Sequence, residues 1–86
     1  MTLADLIKKM NSEKNSTVTV LESWVDSIAE IKKSNKKLEA KFDEIMQTYC
    51  KLLGFIWGLY ALGYISRDEK AALQNELIGV TMIFIP

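Results

Sequence analysis

Lys32, Lys33, Lys36, Lys37 and Lys41 crowd into one short stretch, the nearest this chain comes to a charged binding site. Lysines grouped in this way suit phosphate oxygens or an acidic protein surface. The block holds no arginine and no interleaved aromatic ring, which a nucleic-acid groove normally adds, so nucleic acid is not an expected partner. Three pairs stand four apart (32/36, 33/37 and 37/41), and on a helix that spacing costs a few tenths of a kcal/mol per like-charged pair. The bland reading is a solvated face. The alternative is contact with a partner, such as a neighbouring copy's acids at Glu22, Asp26 and Glu30.

Beyond charge, the inventory for chemistry is thin. There is no histidine, so the usual base and proton shuttle near neutral pH is missing. Cys50 is the lone cysteine, which excludes a disulfide within the chain and leaves zinc without a ligand set. The carboxylates fall along polar helix faces with no sign of a pocket. We therefore expect no enzyme, no catalytic residue, no metal and no cofactor. Trp24, Trp57, Tyr49, Tyr60 and Tyr64 would line a small-ligand or nucleotide pocket between subunits, but at helical spacing aromatic rings serve mainly as core and interface anchors.

The elements that carry these residues read as all-α and as one domain spanning all 86 residues. A hydroxyl residue followed three positions later by an acid marks a helix start. Thr2 with Asp5, Thr19 with Glu22, and Ser66 with Glu69 fit that pattern. Asn11 to Ser16 is a polar loop, and Gly63 suits a left-handed helix cap before Ile65. The spacing predicts a short helix over 2–11, a long one over 17–62 and a third over 67–78 that forms a hairpin with it. The tail 79–86 stays unassigned.

The long helix rests on a heptad repeat. Counted from Leu21, its a positions are Leu21, Ile28, Asn35, Phe42, Tyr49 and Ile56; its d positions are Trp24, Ile31, Leu38, Ile45, Leu52 and Leu59. Such a repeat keeps one seam against a partner, and it runs without a phase break past Ser34 and Asn35. An unbroken helix of that span is on the order of 60–70 Å long at 1.5 Å per residue. Two short helices cannot cover it, so the expectation is a helical-bundle or coiled-coil homo-oligomer. Asn35, mid-seam, would then fix register.

Residues 52–65 carry no charged side chain, yet the run falls short of the ~20 residues that span a bilayer, and Lys51 and Arg67 close its ends. A buried core helix is the expectation and a membrane is not. Gly54 and Gly58 share a face and would let the third helix pack closely. The tail is too apolar to dangle in water; it packs on its own subunit or docks elsewhere, with Met82 and Phe84 as contacts.

The expected function is a non-enzymatic assembly protein, partnered by its own copies and by another protein, of the kind found among viral or phage structural and accessory components. A second reading is a small inhibitor or immunity protein of phages and mobile elements. A third is an oligomer that sequesters a small ligand. The first ten residues lack a signal-peptide core, so a cytoplasmic protein, or one in a particle assembled inside the cell, is expected rather than a secreted one.

Overall fold

A computed structural model describes residues 1–81 as four packed helices, α1 (Leu3–Ser12), α2 (Val18–Lys33), α3 (Leu38–Ala61) and α4 (Arg67–Thr81). No strand occurs among them. The all-α expectation holds, but the long helix over 17–62 does not: the chain breaks at residues 34–37 and turns back. The described residues extend 39 × 23 × 17 Å, well short of the rod the heptads implied.

The break has local causes. Ser34 (ψ 160°) and Lys37 (ψ 151°) are both extended. Ser34 donates from its hydroxyl and its N–H to the Ile31 carbonyl, so the last turn of α2 is closed from its own side chain. Lys41 donates from Nζ to the Lys32 carbonyl across the turn, 3.2 Å away. Lysines that a straight helix would stack four apart are now spread around a bend. The turn also holds Asn35, which is exposed and belongs to no seam; its expected register role is overturned. Heptad phase survived only because α2 and α3 each need one apolar stripe and the linker happens to keep the count.

The helix ends follow the sequence signals closely. Thr2 and Asp5 form a reciprocal capping box on α1. Asn15 bends the chain into α2: its side-chain oxygen accepts from the Thr17 N–H and hydroxyl. The expected Thr19–Glu22 box does not form; the Thr19 hydroxyl donates instead to the Ser16 carbonyl. At the end of α3, Gly63 takes φ +77°, its N–H bonds to the Tyr60 carbonyl, and the Tyr64 N–H reaches the Leu59 carbonyl. That pair of bonds is a Schellman cap, which wants glycine at the left-handed position. Ser66 and Glu69 then box the start of α4, which runs to Thr81 rather than stopping at 78.

The core gathers one face from each helix: Leu6 and Met10, Leu21 and Ile28, Leu52 and Ile56, Leu73 and Leu77 are essentially sealed. Two polar links tie α1 down. Glu76 accepts from the Leu3 N–H at 2.6 Å, and Lys9 donates from Nζ to the Tyr64 carbonyl at 3.2 Å.

Truncating Leu73 to Ala should cost roughly 2–5 kcal/mol, the usual range for a sealed leucine. Asn35→Leu should shift stability by no more than about 0.5 kcal/mol, as an exposed turn residue does. Urea unfolding midpoints check both, and a clear gain from Asn35→Leu would mean that the helix runs through the turn.

Candidate protein-interaction surface

With the chain folded back, most of the seam lies inside the molecule. Leu21, Ile28, Ile45, Leu52, Ile56 and Leu59 are buried, while Trp24, Ile31 and Tyr49 are half-buried. Leu38 and Phe42 remain 62% and 48% exposed at the start of α3. The stripe expected to hold a neighbouring subunit is thus largely covered by the chain's own helices.

The lysine block is divided. Lys36 pairs with Glu44 across the turn, and Lys41 caps the carbonyl of the half-buried Lys32, which leaves Lys33 and Lys37 exposed at the hairpin tip. On α2, Glu22, Asp26 and Glu30 line one shallow, polar edge together with Thr19 and Ser23. The two signs of charge therefore sit in different places, lysines at the tip and acids along the side. Met82 and Phe84, the expected tail contacts, lie outside the described residues.

Gly54 and Gly58 do share a face, but it is not the face that packs. A methyl group added at either would meet nothing within 4 Å, and both are exposed. The expected close approach of the C-terminal helix through these glycines does not occur; α4 meets this side of α3 at its edge, through Lys70 over the Trp57 ring. The outward face of α3 is instead a smooth strip, Gly54–Trp57–Gly58–Ala61–Leu62, in which Trp57 is 47% and Leu62 84% exposed. Alongside it an open groove of about 560 Å³ runs between Asn15 and Thr17 of the α1–α2 turn and Phe55, Leu59 and Leu62 of α3.

Aromatic contacts hold this end of the molecule in shape. The Trp57 ring meets Tyr60 edge-on at 6.3 Å, and the Lys70 ammonium of α4 lies 3.7 Å from the Trp57 ring centroid and 4.3 Å from that of Tyr60. Trp24 meets Phe55 edge-on at 5.8 Å behind the groove. Tyr64 donates its hydroxyl to Glu13 and carries Lys9 over its ring, 4.4 Å from the centroid. None of these rings lines an enclosed cavity able to seat a nucleotide.

No family model, characterised protein or solved structure matches this chain. What it does has to be argued from its own surface. Among the described residues no group of three or more histidine, cysteine or acidic side chains is placed to hold a metal ion. Cys50 is exposed on α3. No described helix is long and apolar enough to cross a membrane. The exposed apolar strip on α3 was hard to find from sequence, because its residues lie inside the uncharged run 52–65 that reads as buried on every side.

Among the described residues, three titrating groups depart from their ordinary values. The Thr2 and Ser66 backbone N–H bonds hold Asp5 and Glu69 below the usual carboxylate range. The hydrogen bond from Tyr64 to Glu13 pushes the phenol above 10. A lowered folded-state carboxylate stabilises the fold above its unfolded value and loses that support as pH falls through its folded value. A raised tyrosine stabilises below its unfolded value and loses support as pH rises through its folded value. Stability should therefore drop below about pH 4 and again above about pH 10. Tyr64→Phe should weaken the alkaline loss without altering the acid one, as thermal melts across pH would report.

Proposed function

We propose that this protein is a non-enzymatic binding module that docks the outward face of α3 against a helical surface of another protein, its own copy being the first candidate. The observation that carries this reading is the pairing of two exposed mid-helix glycines with an exposed tryptophan and leucine. A glycine within a helix costs about 1 kcal/mol relative to alanine. Neither Gly54 nor Gly58 returns that cost inside the chain, since nothing lies within 4 Å of either missing side chain. A strip without side chains lets a second backbone come close, while Trp57 and Leu62 supply the large apolar contacts that anchor interfaces.

Self-association is favoured by the formal net charge of zero, which leaves copies without mutual repulsion. It also fits the small size of the chain, in which the buried core is modest and assembly adds to it. The inhibitor reading uses the same face with a different partner. Sequestering a small ligand has less support, because the groove beside Leu62 is open rather than enclosing.

Sedimentation equilibrium over a wide concentration range tests the reading. The wild-type chain should self-associate, and Gly58→Glu should weaken association by at least tenfold while leaving the circular dichroism spectrum and melting temperature close to wild type. A photo-crosslinker at Ala61 should join copies through residues 54–62. If the wild type stays monomeric and the Ala61 probe captures no protein in the native source, the reading fails.

A further inference from the structure

We propose that two copies of this chain exchange α1 and α2, the turn at residues 34–37 straightening so that α2 and α3 become one helix in a domain-swapped dimer. In each half of that dimer, α1 and α2 of one chain pack on α3 and α4 of the other. The contacts are those already made within the chain, Leu21 and Ile28 with Leu52 and Ile56 among them, so the exchange needs no new interface. The open groove beside Leu62 is lined from both halves, by Asn15 and Thr17 on one side and Phe55 and Leu59 on the other. In the dimer each such groove is built from two chains.

The turn is weakly held on its α3 side. Lys37 stands at the N-cap of α3 and its side chain makes no capping bond, whereas Thr2 caps α1 and Ser66 caps α4. The first turn of a helix leaves backbone N–H groups without carbonyl partners. Lysine serves poorly there, both as a cap and as a charge at the positive end of the helix dipole. A straight linker gives the N–H groups of residues 38–40 the carbonyls of residues 34–36. Across the turn, the paired side chains of Lys36 and Glu44 are 51% and 38% exposed, and a pair so placed contributes little. Ser34-Asn35-Lys36-Lys37 contains neither glycine nor proline to bar a helix.

The linker also keeps the apolar phase. Once it straightens, the stripes of α2 and α3 lie on one face, and a second chain covers both at once. The a and d rows mirror each other about the linker: Leu21 answers Leu52, Trp24 answers Tyr49 and Ile28 answers Ile45, each pair at equal distances on either side. Two copies related by a two-fold axis at the linker therefore match layer for layer. Two effects oppose the exchange and keep the dilute chain bent. One is the freedom lost on association; the other is the stacking of like-charged lysines four apart along a straight helix. The first weakens with rising concentration and the second with rising salt. The exchange uses the inward faces of α2 and α3, so it stands or falls separately from the function proposed for the Gly54–Leu62 face.

Spin-label distances in the full-length chain test it. Ser27 and Gln47 line one cleft between α2 and α3. Labels at Ser27→Cys and Gln47→Cys in a Cys50→Ser background, diluted into excess unlabelled chain so that only pairs within one chain are read, should be close in the monomer. In dimer isolated after slow cooling of a concentrated solution they should stand about 30 Å apart, at 1.5 Å per residue of a straight helix. Ser34→Ala with Lys37→Ala should strengthen dimer formation at least tenfold, since it removes the hydroxyl that closes α2 and two of the three like-charged pairs. Lys37→Asp, which caps α3 in its bent form, should weaken it at least tenfold. A dimer whose labels stay close has associated side by side and overturns the proposal. So does a chain that remains monomeric both as wild type and with Ser34→Ala and Lys37→Ala, or a Lys37→Asp variant that dimerises as well as wild type.

Discussion

The packing of α2 back onto α3 is the contact on which the rest of the molecule depends. A stripe of apolar residues in water must be covered by something, and in a chain of this size only two arrangements are open. Either the stripe stays straight and a second molecule covers it, or the helix breaks and the stripe covers itself. The straight arrangement keeps a few backbone hydrogen bonds that the bend gives up to water, where each exchange is worth about 1 kcal/mol. The bent one buries Leu21 and Ile28 together with Leu52 and Ile56 inside a single chain, at about 1.5–3 kcal/mol for each large side chain. A straight helix covered by a second molecule buries comparable side chains but loses translational and rotational freedom to do so, and that cost favours the bend. It needs no second molecule, so it does not weaken on dilution.

That comparison also explains which parts of the fold were legible in the sequence. Local signals with local causes read correctly: Thr2–Asp5, Ser66–Glu69 and Gly63 each act through neighbouring backbone, and each forms the bond its spacing implies. The break at residues 34–37 was missed because its evidence was weak at short range and its reason lies at long range. Ser34, Asn35 and a run of lysines all hinted at a turn, but an unbroken heptad phase outweighed them. Periodicity reports that a face is apolar; it carries no information about whether the next segment continues or folds back. The candidate surface was legible in part. Gly54 and Gly58 were read as a close-packing face, but against the wrong element, because sequence cannot say on which flank α4 lies.

Helix length then decides what is left uncovered. α3 has 24 residues, against 16 in α2 and 15 in α4. No single neighbour can accompany it from end to end, so α2 runs beside it from the tip while α4 returns only from the far end. Among the described residues, no second helix runs along the start of α3 or along the outward side of its last turns. Most of the exposed large apolar residues lie in these two places, Leu38, Phe42 and Met46 at one and Trp57 and Leu62 at the other, with Val20 on α2 and Ile78 on α4 apart from them. Both surfaces are consequences of one unequal set of lengths rather than scattered accidents of composition.

The two leftover places differ in what their residues ask for. At the start of α3 the exposed large apolar residues, Leu38, Phe42 and Met46, all bear long side chains. The far end is different. The strip there pairs large anchors with missing side chains, and the glycines give the fold nothing in return for the helix stability they cost. Gly63 makes the contrast plain: it has an internal reason, a positive φ that a Schellman cap requires. Gly54 and Gly58 have ordinary helical backbone and empty space above them. Lys70 and Tyr60 meanwhile hold the Trp57 ring in place from α4 and from the next turn of α3. An anchor fixed in advance loses little conformational entropy on binding. A smooth strip beside a fixed ring is the shape that a second helix needs, and no described helix of this chain takes it.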